Sequence, residues 1–168
     1  DDLQTGLEPP VIGLDDDSWA ERVRLLLEDP RVIAGGSDAG AHLDMMKTFA
    51  CHTSFFAEAV RSRQLLSLEQ AVNLFTDAPA RFYGLRDRGR VAEGWFADLC
   101  IFDPATVGPG TIEPRGDLPA GGWRLYSEAT GIDATIVNGV EIVRDGKVTG
   151  DTPGTTIRAG RDTDTVSV

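Results

Sequence analysis

Cysteine and histidine are both scarce, with two of each in 168 residues. Cys51 and Cys100 lie far apart and form no CxxC pair. That excludes a disulfide framework and a cysteine zinc site, and both read as buried thiols of a reducing compartment. There is no HxH and no HExxH, so three or four zinc ligands cannot be assembled from this sequence alone. Basic residues are outnumbered 16 to 27, for a net charge of −11. Phosphate recognition needs clustered Lys and Arg, so nucleic acid is excluded as a partner. No apolar run approaches the ~20 residues that cross a bilayer, so no membrane partner is expected. The first residues, Asp1-Asp2, open neither a basic region nor an apolar segment. No signal peptide is read, and the expected location is cytoplasmic. Gly89–Gly94 is followed by no GK[ST], and Ser37 has no GxSxG context. A phosphate loop and a nucleophilic serine are thereby set aside.

What remains is an ordinary globular composition, 41% hydrophobic and 26% charged, on a chain long enough for one domain. Residues 1–14 carry no helical period and read as a loop. Ser18-Trp19-Ala20-Glu21 has capping-box spacing, and Trp19, Val23, Leu26 and Leu27 predict a helix from Ser18 to Glu28, stopped by Pro30. Asp15–Asp17 reads as a solvated acidic run at its start. Arg31–Ala34 reads as a short buried parallel strand. Met45–Arg63 is predicted mostly helical, with a plausible break at Cys51–Ser54. Met45, Met46 and the phenylalanines around His52 read as core. Ser67-Leu68-Glu69-Gln70 is a second capping box opening Leu68–Phe75. Ala78–Arg81 fits a short helix with Pro in its first turn and Gly84 after its end.

Beyond Leu85 helical periodicity gives way to strand signals. Ala97–Phe102 is a strand closed by Asp103-Pro104. Residues 104–122, rich in Gly and Pro, read as an irregular loop. Ala134–Val137 and Val140–Arg144 flank Asn138-Gly139 as a hairpin, and Asp145-Gly146 turns into Lys147–Thr149. Residues 151–168 read as a loosely held polar tail. One parallel strand cannot form a sheet alone, so each half reads as a piece of something larger.

Asp38 is the first candidate for chemistry. An acid in a Gly-rich turn after a strand-like run sits where α/β folds place functional groups. It could hold a divalent metal or act as a general base, or it could simply cap the following turn. His42, four residues on, is a ligand candidate or a hydrogen-bonded loop residue, and Asp44 follows it.

Gly36-Ser37-Asp38-Ala39-Gly40-Ala41-His42 resembles the last barrel strand and loop of the N-acyl-D-amino-acid deacylases, in the amidohydrolase superfamily. Ser67–Val72, followed by Thr76-Asp77-Ala78-Pro79-Ala80-Arg81-Phe82-Tyr83-Gly84-Leu85, is similar to that family's closing helices. Arg88–Val91 with Gly94–Leu99, and Phe102-Asp103-Pro104, look like its re-entry into a β-sandwich. Ile136–Gly139 and Asp145–Lys147 resemble its final hairpin.

The resemblance implies an α/β fold: the C-terminal end of a (β/α)8 metal-dependent hydrolase barrel over residues 1–86, part of a small β-sandwich over 87–150, and a polar tail over 151–168. It implies Asp38 as metal ligand and general base. Ser37, Gly40 and His42 would line the substrate site, and zinc would be the metal. The implied reaction is hydrolysis of the N-acyl bond of a small N-acyl-D-amino acid. The family's HxH, its bridging ligand and its mid-barrel histidines have no counterpart here and would lie upstream of Asp1. Self-association, or pairing with that missing N-terminal portion, is therefore expected. Two alternatives stand beside this reading: a dihydropyrimidinase-like cyclic amidase, and a non-catalytic interaction module.

Overall fold

The computed structural model describes residues 16–37, 39–40 and 42–166. Helix α1 spans Asp16–Glu28. It begins two residues before the expected start, so Ser18 falls inside its first turn. Glu21 does not close a capping box; its carboxylate accepts from Arg24, which also reaches Glu28. Acidic residues at 16 and 17 suit the positive end of the helix dipole, which favours the earlier start.

The expected buried strand at Arg31–Ala34 does not form. Arg31 lies in a turn, residues 32–34 carry no strand pairing, and Val32 is 38% exposed. An apolar run becomes a strand only when neighbours take its N–H and C=O groups, and none of the described strands lies beside it. Ala34 instead touches the helical core.

The next helix is continuous but starts later than expected. A 3-10 turn at Thr48–Ala50 leads into α2 (Cys51–Phe55), which passes into a π-helix over Phe56–Ser62. No break occurs at Cys51–Ser54. Met45 is 45% exposed, so it is not core. Helix α3 (Leu68–Phe75) opens on a complete capping box. Gln70 N–H donates to Ser67 Oγ at 3.2 Å, and Ser67 N–H donates to Gln70 Oε1 at 2.8 Å. Helix α4 spans Asp77–Phe82. Val23, Phe55, Ala59, Leu66, Ala71 and Leu74 form one buried cluster between α1, the α2/π-helix and α3. The edge of Phe55 meets Phe75 at 5.2 Å.

The β half is antiparallel throughout. Strands β1 (Leu99–Phe102), β6 (Ile132–Val137), β7 (Val140–Arg144) and β8 (Lys147–Val148) form one sheet in the order β1-β6-β7-β8. The β6–β7 turn has φ +48° at Asn138 and +80° at Gly139, the positive pair that a type I′ turn demands. The expected loop at 104–122 is not wholly irregular. It holds β2 (Gly108–Pro109) and β3 (Glu113–Arg115), which pair with β5 (Ala129–Thr130) and β4 (Arg124–Tyr126).

Arg61 ties the halves together. Its Nη1 donates to Val107 O at 2.7 Å and to Pro104 O at 3.3 Å. Phe56 packs on Phe102 at 5.3 Å. The C-terminal segment is exposed but anchored rather than loose: Asp164 N–H donates to Gly84 O at 2.7 Å, and Arg86 pairs with Asp164 at 2.6 Å. Both cysteines are free, and Cys100 is exposed rather than buried. Partial burial still pushes both thiols up, against weaker opposing hydrogen bonds.

Candidate active site

Asp38 lies outside the described residues, as does Ala41; the loop around them is described on both sides. Ser37 is half-buried, and its Oγ accepts the Ala39 N–H at 3.1 Å. Gly40 has φ +108° and is exposed. His42 is exposed with φ +45°, and its carbonyl accepts from the N–H groups of Met45 and Met46, both at 2.9 Å. These bonds close the loop into a turn that hands the chain to the helical segment at Thr48. Ser37, Gly40 and His42 thus share one short loop.

A second element braces this loop. Leu125 N–H, on β4, donates to Leu43 O at 2.8 Å. One residue on, Tyr126 stacks on Phe49 with ring centres 6.5 Å apart. The β3–β4 ribbon is therefore seated against Leu43 and Phe49. Arg115 lies over the Tyr126 ring at 3.6 Å and Arg124 at 5.0 Å. Asp117 engages Arg124 with both carboxylate oxygens, at 2.9 and 2.8 Å, and the Arg124 guanidinium holds that carboxyl below its usual range. None of these residues stands out in the sequence, because two strands of three residues carry too little alternation to read.

Among the described residues no three His, Cys, Asp or Glu side chains converge as a metal cage requires. Cys51 Sγ and His52 Nδ1 approach to 3.2 Å, but they are neighbours on one helix, and the His52 ring meets the edge of Phe75 at 4.8 Å. The described donors alone do not assemble a metal site. Two cavities lie elsewhere. A groove of about 680 Å³ runs between Leu26, Val32, Leu74 and Phe82, and a cleft of about 230 Å³ sits between Arg88, Phe96 and Arg161. Neither is lined by Ser37, Gly40 or His42.

The sequence model of the amidohydrolase family matches residues 2–143. An N-acyl-D-glutamate deacylase of Alcaligenes xylosoxydans xylosoxydans is 44% identical over 106 residues, covering 63% of this chain and 19% of the relative. A dihydroorotase of Lactobacillus acidophilus is 28% identical over 115 residues, covering 66% of this chain and 26% of the relative. Among solved structures, a D-aminoacylase described as defining a novel subset of amidohydrolases superposes with a TM-score of 0.50 at 32% identity. That match covers 62% of this chain and 20% of the D-aminoacylase. The chain thus spans about a fifth to a quarter of the length of these relatives.

Proposed function

Since the chain belongs to the amidohydrolase family, we propose that it is the C-terminal part of an enzyme that hydrolyses the N-acyl amide bond of N-acyl-D-amino acids. The observation that carries this reading is the 44% identity to an N-acyl-D-glutamate deacylase. In this reading residues 1–86 are the end of the barrel and residues 87–150 are part of the sandwich. The split is supported by the change from helices up to Phe82 to antiparallel strands from Leu99. The unpaired, half-exposed segment from Val32 is the edge against which the remaining barrel strands would lie. Zinc, when bound, polarises an acyl carbonyl and acidifies water. In this reading Asp38 would be one of its ligands, and the remaining ligands would come from the part of the relatives' length that this chain does not span.

The work assigned to this chain is proton transfer and binding. The Asp38 carboxylate accepts a proton from the attacking water and returns it to the departing amine. The Ser37 hydroxyl already accepts from Ala39, so its own hydrogen remains to donate to a substrate oxygen. Gly40 leaves the loop wall without a side chain. His42, exposed at the turn, lines the rim. The location proposed is cytoplasmic; no helix among the described residues is long and apolar enough to cross a membrane.

The test is to produce the complete polypeptide containing this sequence and to measure amine release from N-acetyl-D-glutamate. Asp38→Asn should cost about 10²- to 10⁴-fold in turnover, with an unchanged circular dichroism spectrum. Near-normal turnover would remove Asp38 from the proton path. The dihydroorotase relative favours a second reading, ring opening of a cyclic amide. Preference for a cyclic over an N-acyl substrate would establish it. A complete polypeptide inert to both would leave the interaction module.

A further inference from the structure

We propose that Asn138 is a deamidation site built as a latch: its carboxamide holds the C-terminal segment in place, and its conversion to aspartate releases residues 153–164. The inference stands apart from the deacylase reading and survives or fails without it.

The chemistry begins in the sequence. In Asn138-Gly139 the glycine nitrogen carries no neighbouring side chain to shield it, so it can attack the Asn138 Cγ. The bond from Cγ to Nδ2 breaks, and ammonia leaves with the proton that Gly139 gives up. Water then opens the cyclic imide, leaving aspartate or isoaspartate. Water has access, because Gly139 is exposed and nothing lies within 4 Å of the place its Cβ would take. The other asparagine, Asn73, is followed by Leu74 inside α3 and lacks this liability.

The carboxamide does more than shape a turn. Its Nδ2 donates to Pro153 O at 2.8 Å, and its Oδ1 accepts from Arg88 Nη2 at 3.1 Å. The Asn138 N–H donates to Asp98 Oδ1 at 2.8 Å, and Asp98 also pairs with Arg88. One side chain thus joins the β6–β7 turn, the segment before β1, and the start of the tail. From Pro153 the tail runs on to its second anchor, at Gly84 and Arg86. On the way Thr155, Ile157 and Arg161 wall the cleft of about 230 Å³ against Arg88 and Phe96.

The closed turn resists the reaction. The Gly139 N–H is committed to Ala97 O at 3.0 Å, and the carboxamide is held at both of its polar atoms. Attack needs Cγ to swing toward the glycine nitrogen, which these bonds oppose. The reaction therefore proceeds from a locally opened state. Its product cannot close again. A carboxylate has no hydrogen for Pro153 O, so two acceptors face each other where a donor stood. Isoaspartate also lengthens the backbone and spoils the turn. Each opening that reacts is made permanent.

The experiment ages the complete polypeptide, maps the amide-to-acid mass change at Asn138 and Asn73, and follows trypsin cleavage after Arg158. Folded wild type should deamidate at Asn138 more slowly than the same protein in denaturing urea, with Asn73 unchanged in the folded sample. Arg88→Met removes a charge-assisted hydrogen bond from the closed state and should speed the reaction roughly 10- to 100-fold, with circular dichroism confirming that the variant is folded. Asn138→Asp supplies the product directly and should be cut after Arg158 faster than wild type. The same faster cleavage should develop in wild type in step with its deamidation. Equal rates in folded and unfolded protein, or an unchanged or slower reaction in folded Arg88→Met, overturn the protection by the latch. Cleavage of Asn138→Asp at the wild-type rate overturns the release, whether or not the Arg88 variant folds.

Discussion

Gly131 and Gly139 share a backbone requirement but not an environment, and the difference between them can be measured. Gly131 has φ +68° and Gly139 has φ +80°. Alanine at either position pays for left-handed backbone, about 1–2 kcal/mol. At Gly139 the new methyl would meet nothing within 4 Å. At Gly131 it would stand 2.5 Å from Val107 N and 2.7 Å from Thr106 C and Oγ1. Those atoms cannot yield easily. Val107 is 2% exposed, its N–H is held by Asp103 O at 2.8 Å, and its carbonyl is held by Arg61. Overpacking against a pinned peptide adds about 1–3 kcal/mol. The expected losses are therefore about 2–5 kcal/mol for Gly131→Ala and about 1–2 kcal/mol for Gly139→Ala. Urea unfolding followed by circular dichroism reads both. With an m-value of about 2 kcal/mol/M, the midpoint falls by roughly 1–2.5 M in the first variant and by about 0.5–1 M in the second. Equal shifts would show that the Thr106–Val107 peptide moves freely, and would refute the claim that it is clamped between the helices and the sheet.

Three further outcomes are expected. Asp77 is 7% exposed and accepts from Arg90 at 2.5 and 2.9 Å, and this hydrogen bonding, with Arg81 nearby, holds its carboxyl below the usual 3.8 despite burial. Stability from a lowered carboxylate is full above the unfolded value and is lost as pH falls through the folded one. Urea midpoints should therefore separate wild type from Asp77→Asn at pH 6 and converge well below pH 3.8; a constant separation would refute the ionic origin. Arg61→Met leaves the Val107 and Pro104 carbonyls without their donor and should cost about 1–3 kcal/mol in the same assay, a cost that no change in the midpoint would contradict. The 168-residue chain alone should self-associate through the apolar rim formed by Leu27, Val32 and Phe82, which are 38%, 38% and 47% exposed. Sedimentation velocity should show this and should show it weakened in Val32→Lys, whereas a monomer at high concentration would contradict it.

The elements that were legible in the sequence are those whose cause is local. The Ser67/Gln70 box fixes the start of α3 through two bonds within four residues. Asn138-Gly139 fixes the β6–β7 turn through two φ angles. Arg31–Ala34 forms no strand here for the opposite reason. Its apolar pattern is that of a strand, but a strand is completed by partners, and the described chain provides none. Strands β2 to β5 escaped because two or three residues cannot display a period. The tail escaped because its anchors, Gly84 and Arg86, are remote in sequence from Asp164.

The candidate site divides along the same line. Asp38, Ser37, Gly40 and His42 could be named because they sit together in one Gly-rich loop. The β3–β4 ribbon beside Leu43 could not be, since its place depends on three long-range facts together: β3 pairing with β4, Leu125 bonding to Leu43, and Tyr126 stacking on Phe49. The loop and the ribbon therefore make separable demands on mutation. In the proposed reading, changes at Asp38 would act on the bond that breaks, whereas changes at Leu125 or Tyr126 would act only through the seat of the ribbon.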